Sequence, residues 1–316
     1  MPVRKFSQNG EAHSLRLIIA FSKESDDALD CMHCQCWSYL LGHGGYMGLN
    51  CVLITGASGK VARSVRPNLA ALCTELRLTD IVPAETSSAN ETVHTADLSD
   101  PATLPAVLQG VDAIVHFAGY PREAAWPVLL EANIATAINL WDAALAAGVK
   151  RIVYASTNHT VGYYPRSERI DHCAVPRPDS RYGVSKVFME ALASLYADKY
   201  GVRAMGIRIG FCGAEPLDAR MLSHWVHPED LASLIRIGLL ADYHCELVYG
   251  VSANSATWYD NSRAEALGYR PLHSADPYAA ALAAVRTENP VSEQYQGGSF
   301  AGEGHVGDPE RPSRHY

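Results

Sequence analysis

An α/β fold, a doubly wound parallel sheet with a smaller C-terminal substrate-binding region, is predicted for residues 49–290 from three observations. Short apolar runs alternate with longer helical patterns along most of the chain. A glycine loop joins the first of those runs to the first helix. The 316 residues, 48% hydrophobic and 19% charged, suffice to bury a sheet covered on both faces.

The strand candidates are CVLITG from Cys51, ELRLTD, TVHTAD, DAIVHFAG, RIVYAS, RAMGIRIG and ELVYGVS, each short, apolar and rich in β-branched residues. Between them GKVARSVRPNLAAL, DPATLPAVLQG, WPVLLEANIATAINLWDAALAAG and RYGVSKVFMEALASLYADKYG carry helical spacing, and Gly148 stands where a C-cap belongs. Residues 211–290 are less regular. HPED begins one helix there, and the region is expected to pack on the sheet and close a cleft. The last residues, 291–316, are polar and rich in Gly and Pro, and a poorly ordered tail is expected.

A formal net charge of -8 disfavours nucleic acid and anionic membranes as partners, and no apolar run approaches a membrane span. A small polar molecule is the expected ligand. Of the 8 cysteines, Cys31, Cys34 and Cys36 cluster around His33 in CMHCQCW, but no second cluster completes four ligands. No metal centre is predicted, and reduced thiols in a cytoplasmic protein are the expectation. The first 48 residues lack any sustained period and form an extension, with Met47 the expected start of the folded chain.

TGASGKVA lies where the first strand meets the first helix. Gly56, Gly59 and Ala62 give the spacing G-x-x-G-x-x-A, which lets backbone approach a pyrophosphate at a helix N-terminus. Lys60 and Val61 open that helix and join the cofactor-contacting set. Asp80 ends the second strand about twenty residues on, where a carboxylate accepts hydrogen bonds from an adenosine ribose and repels a 2′-phosphate. That favours NAD over NADP; a carboxylate that merely caps the strand is the alternative. Asp97 and Leu98 end the third strand, near an adenine. Phe117 and Ala118, in HFAG, end the fourth, where the cofactor would cross the sheet.

Together with Asn133 in EANIAT, Ser156-Thr157 and the Tyr182-x-x-x-Lys186 pair, these motifs resemble the extended short-chain dehydrogenase/reductase family, the NAD-dependent epimerase/dehydratases, over about residues 51–270. STNHTVGYYP, RPDSRYGVSK, RIGFC, ARMLSHW, VYGVSANSATWYDNS and QGGSF are similar to its uronate dehydrogenase branch. The resemblance implies a Rossmann-like fold, NAD as cofactor, and oxidation of the anomeric carbon of galacturonate or glucuronate to a lactone. It also implies that Asn158, His159 and Arg220 hold the sugar acid. Two positions depart from the branch: Pro121 and Phe211 stand where it usually carries serines, facing sugar or nicotinamide. The segment around Pro121 and Arg122 is similar to a branch that oxidises glucose 6-phosphate, so a sugar phosphate is the alternative substrate. Epimerases, dehydratases and dinucleotide-sensing proteins share the fold, and a homo-oligomer is expected by resemblance.

Tyr182 and Lys186 are one helical turn apart and share a face. A tyrosine hydroxyl near pKa 10 must fall by about 3 units, roughly 4 kcal/mol, to act as a base near neutrality. Lys186 and a nicotinamide charge are suited to that. Tyr182 is the expected base, Lys186 its partner and a ribose ligand, and Thr157 a donor to the substrate oxygen. Arg220, a planar fork, matches a carboxylate. Deleting residues 1–46 is expected to leave solubility and turnover unchanged, checked by assaying the shortened chain beside the full one.

Overall fold

The computed structural model describes residues 48–309; residues 1–46 and the Cys31–Cys36 cluster lie outside that range. Strands β1 (Leu49–Thr55), β2 (Cys73–Asp80), β3 (Glu91–Thr95), β4 (Ala113–His116), β5 (Arg151–Thr157) and β6 (Arg203–Ile209) run parallel. With a last strand, Cys245–Gly250, they form a 7-stranded sheet in the order β3-β2-β1-β4-β5-β6 and then Cys245–Gly250. Direction along the sheet reverses between β1 and β4, which opens a crevice at the carboxyl ends of those two strands.

The period of two along each strand divides the core. In β1, Val52 and Ile54 face one side and Cys51 and Leu53 the other, all at most 4% exposed. The first side is covered by α1 (Lys60–Val65) and by a helix over Pro228–Leu240, through Ala62, Val65, Leu231 and Ile235. The other is covered by α2 (Leu104–Leu108), α3 (Trp126–Ala146) and α4 (Arg181–Tyr200), through Leu104, Trp141 and Met189. Alternate strand residues are thus buried on both faces, which explains why the strands read as continuous apolar runs.

α3 is long and apolar enough to pass for a membrane span, contrary to the first impression from sequence. Ala137, Leu140, Trp141 and Ala144 are completely buried against the sheet, the signature of a core helix. Its middle, Leu130–Ala135, widens into a π turn, which brings Asn133 inward. Asn133 receives the Tyr120 N–H at 2.6 Å and donates to Tyr120 O at 3.1 Å and Ser185 Oγ at 2.8 Å.

One expectation about the C-terminal part changes. The helix at Pro228–Leu240 packs on the sheet, and the strand Cys245–Gly250, read from ELVYGVS, pairs with β6. The expected loose tail is corrected for residues 291–309. Pro290–Gln294 and Ser299–Gly302 are helical, Gln296 is fully buried, and Gln296 Nε2 donates to Pro165 O and Glu168 O at 3.1 and 2.8 Å. The segment is polar because it satisfies loop carbonyls rather than filling an apolar core.

Beneath the carboxyl ends of β5 and β6 lies a buried ion pair. Arg208 on β6 donates through Nε and Nη2 to the two oxygens of Glu190 on α4, both at 2.9 Å. Ser156 on β5 donates to the same carboxylate at 2.5 Å. Arg208 is 1% exposed and Glu190 7%. Replacing Glu190 by Ala leaves the guanidinium buried without its counter-charge, which is expected to destabilise the protein by about 3–5 kcal/mol. Chemical denaturation checks this, and Glu190→Ala combined with Arg208→Met is expected to lose less than Glu190→Ala alone.

Candidate active site

The crevice holds a cavity of about 630 Å³. Its floor is the glycine loop after β1. Gly56 has φ +66°, and a Cβ there would lie 2.6 Å from Ala118 N, so only glycine lets the loop lie against HFAG. Gly59 N donates back to Gly56 O at 3.0 Å. Asp80, at the end of β2, accepts the Ser58 N–H at 2.9 Å while still lining the cavity. It therefore braces the loop and faces the crevice at once. Arg77, on the same strand, points elsewhere: it is paired with Glu75 and donates to Val107 O and Gln109 O.

Lys60, Val61, Asp97, Leu98, Phe117 and Ala118 line the same cavity. Asp97 is held by a tight turn in which Ser99 N and Oγ donate to its Oδ1 at 2.9 and 2.7 Å. Phe211 stands just beside the lining and receives the Lys60 ammonium over its ring at 5.5 Å. Below Ala118, His116 is fully buried against Thr55 Oγ1 at 2.7 Å. Burial first, and then the charge of Lys186, push its imidazole down to about 3, so it is neutral.

At the other end of the cavity Thr157, Tyr182 and Lys186 converge, with Pro121 at the rim. Thr157 is the last residue of β5. α4 starts at once after Ser180, whose hydroxyl caps the helix by accepting the Gly183 N–H at 3.0 Å. Tyr182 N donates to Glu123 Oε2 at 3.1 Å, which uses one of the first-turn N–H groups left over by the helix. One turn on, Lys186 Nζ donates to Ala155 O at 3.0 Å and lies 6.0 Å from the Tyr182 ring centre. Burial pushes the Tyr182 phenol up to about 12, against a hydrogen bond with Thr157 that pulls it down. Burial also pulls the Lys186 ammonium down to about 8.

A second cluster adjoins this end. His159 Nδ1 lies 2.7 Å from Asp179 Oδ2, and the Phe300 ring stacks on His159 at 3.9 Å and 24°. Arg220 Nε donates to Gln296 O at 2.8 Å. With the Asn158 amide oriented to satisfy both of its groups, Arg220 Nη2 donates to Asn158 Oδ1 at 3.0 Å and Asn158 donates to Ile209 O at 3.2 Å. Among the described residues no carboxylate lies within ion-pair distance of Arg220, whereas neighbouring Arg166 is paired with Glu293 at 2.7 Å. Burial disfavours the Arg220 charge. A desolvated guanidinium that stays charged calls for an anion.

The two glycines of QGGSF make this cluster possible. A Cβ on Gly297 would lie 1.9 Å from Asp179 Oδ2, and one on Gly298 would lie 2.5 Å from Arg220 Nε. Gly298 also has φ +63°. Asp179, Phe300 and Glu123 are site residues that motif reading did not assign. QGGSF was a readable signal for Phe300; Asp179 and Glu123 carried none beyond their place beside Ser180 and Pro121. Arg122 is exposed and outside the cavity lining.

The family model described as NAD dependent epimerase/dehydratase family matches residues 52–228. A uronate dehydrogenase of Pseudomonas putida is 42% identical over 256 residues, which cover 80% of this chain and 96% of that protein. A crystal structure of glucuronic acid dehydrogenase from Chromohalobacter salexigens has a TM-score of 0.77 at 40% identity, over 83% of this chain and 99% of that one. A uronate dehydrogenase from Agrobacterium tumefaciens, complexed with NAD, has a TM-score of 0.76 at 39% identity, over 80% of this chain and 97% of that one. The chain belongs to the NAD-dependent epimerase/dehydratase family.

Proposed function

We propose that the protein is an NAD-dependent dehydrogenase that oxidises the anomeric C1 of a hexuronate, galacturonate or glucuronate, to the aldarolactone. The observation that carries this reading is the half-buried guanidinium of Arg220, which has no ion-pair partner among the described residues and bonds to Asn158, the residue after Thr157. A uronate carboxylate supplies the missing charge, and its sugar then places C1 toward the phenol.

The cofactor fits the residues present. The backbone around Gly56 and Gly59 leaves room for a pyrophosphate, Asp80 and Asp97 face the adenosine end, and Lys186 faces the ribose next to the reacting ring. When bound, NAD supplies the acceptor for the hydrogen and electron pair leaving C1. Tyr182, as phenolate, takes the C1 hydroxyl proton, and Thr157 donates to the same oxygen and fixes its direction. Asn158 and His159 bind ring hydroxyls, His159 being oriented by Asp179. Phe300 gives the sugar an apolar wall. Pro121 and Phe211 narrow the pocket where hydroxyls would otherwise stand.

In the free protein the phenol near 12 is too high for a base. The ammonium of Lys186 and the cofactor's positive charge must bring it down together, since both favour the phenolate. The protein is proposed to act in a reducing cytoplasm, in keeping with the free thiols of Cys51, Cys73, Cys173, Cys212 and Cys245. Pairing of two copies through α3 and α4 is proposed on their exposed Val128, Leu130, Ile138, Val184 and Leu195.

Three outcomes test the roles. Tyr182→Phe is expected to lower kcat by about 10²–10⁴-fold with NAD affinity kept within a few fold, measured by turnover and by fluorescence titration. Lys186→Met removes a charge that favours the phenolate, so the acid limb of the kcat profile is expected to move to higher pH; an unmoved limb contradicts the role. Arg220→Met is expected to raise KM for the uronate by about 10–150-fold, the loss of a charge-assisted hydrogen bond of about 1.5–3 kcal/mol. Its turnover of a neutral sugar should be spared, and an unchanged uronate KM sinks the carboxylate assignment.

A further inference from the structure

A group of side chains remote from the triad remains unused by this chemistry. His227 and Glu229 stand at the start of the Pro228–Leu240 helix, and His273 comes from the loop after the short helix Ser262–Ala266. The imidazoles of His227 and His273 stack at 3.6 Å and 21°. One metal-ligating atom from each of His227, Glu229 and His273 lies within 4.8 Å of the others. No cysteine takes part, and the two histidines are far apart in sequence, so residue spacing does not reveal the group.

We propose that His227, Glu229 and His273 form a binding site for one divalent transition-metal ion of the zinc class. Two imidazoles and a carboxylate are a donor set that zinc accepts, with a fourth position left for water. On a tetrahedron with zinc–nitrogen bonds of about 2.0–2.1 Å the ligand atoms lie about 3.4 Å apart, so closure from within 4.8 Å needs only side-chain torsions.

The surroundings are built for this as well. Asp230 is 2% exposed, and its Oδ1 lies 3.3 Å from His273 Nδ1. That carboxylate is itself fixed, accepting from Ser252 Oγ at 2.6 Å, Leu272 N at 2.8 Å and His273 N at 3.1 Å. A buried carboxylate behind one ring nitrogen directs the other outward, the arrangement that orients metal-ligating histidines. Here the outer atom, His273 Nε2, faces Glu229 Oε2 at 3.5 Å. His273 Nδ1 is buried with no well-aligned hydrogen bond.

His227 Nδ1 accepts the Glu229 N–H at 3.3 Å, a long capping bond. The ion would tie the start of the Pro228–Leu240 helix to the His273 loop. The short helix Met221–His224, which directly follows Arg220, precedes that point.

The test is titration of the untagged full chain, stripped of metal, with Zn(II) against a chromophoric chelator and with Co(II) followed by absorption. His227→Asn keeps a capping side chain while removing the imidazole, and Glu229→Gln and His273→Gln remove the other ligands conservatively. The wild type is expected to take one ion per chain at micromolar or lower concentration, with a Co(II) spectrum of nitrogen and oxygen donors. Its melting temperature should rise with Zn(II). Each variant should bind at least about tenfold more weakly and lose that rise. Equal binding by wild type and all three variants would overturn the proposal. So would a sulfur-to-cobalt charge-transfer band as the sole signal, which would place the ion on a cysteine, in Asp171-His172-Cys173 or among Cys31, Cys34 and Cys36.

Discussion

The contact between Glu190, Arg208 and Ser156 is what the rest of the site depends on. It joins α4 to β5 and β6 through one carboxylate, which makes two hydrogen bonds to Arg208 and one to Ser156. Ser156 is the residue before Thr157, and Glu190 lies one turn beyond Lys186. The clamp therefore fixes the register of the helix carrying Tyr182 and Lys186 against the strand carrying Thr157. Charge-assisted bonds in a dry interior hold geometry more tightly than apolar packing does, at the risk of a large penalty if one partner is lost. Arg208 Nη1 extends the network to Tyr249 at 3.3 Å, whose hydroxyl donates to Asp171 O at 2.7 Å.

Burial prepares the site electrically but leaves it incomplete. It holds Tyr182 protonated, weakens the charge preference of Lys186 and keeps His116 neutral. Each of these effects disfavours charge at the reacting end of the cavity, while Lys60, Asp80, Asp97 and Glu131 line the rest of it. Arg220 is the exception, because a guanidinium stays protonated whatever its surroundings. Positive charge brought by a bound dinucleotide and negative charge brought by a sugar acid thus act on opposite deficits. One favours the phenolate and the other neutralises the guanidinium. A site organised in this way is selective for having both ligands present.

Much of this was legible in the residues. Most of the sheet strands read as apolar runs because both faces of the sheet are covered, while the edge strand Glu91–Thr95 is largely exposed and polar. Gly56 could be assigned because a turn against Ala118 leaves no room for a side chain. Tyr182 and Lys186 could be paired because helical spacing is regular. What escaped depends on contacts distant in sequence. Asp179 matters because Gly162 and Gly297, from separate segments, leave it space, and neither spacing nor composition encodes that. Residues 291–309 read as a loose tail because their polar side chains, Gln296 above all, bond loop carbonyls that no periodicity can anticipate. The π turn in α3 was hidden as well, since nothing in LEANIA marks a widened turn.

The most direct measurement is NADH formation by the purified protein supplied with NAD and, in separate reactions, galacturonate, glucuronate, glucose 6-phosphate and glucose. The account predicts reduction with a uronate and little with the phosphate sugar or glucose, since Arg220 is proposed to seat a carboxylate at C6. Reduction with glucose 6-phosphate in preference to both uronates would contradict it.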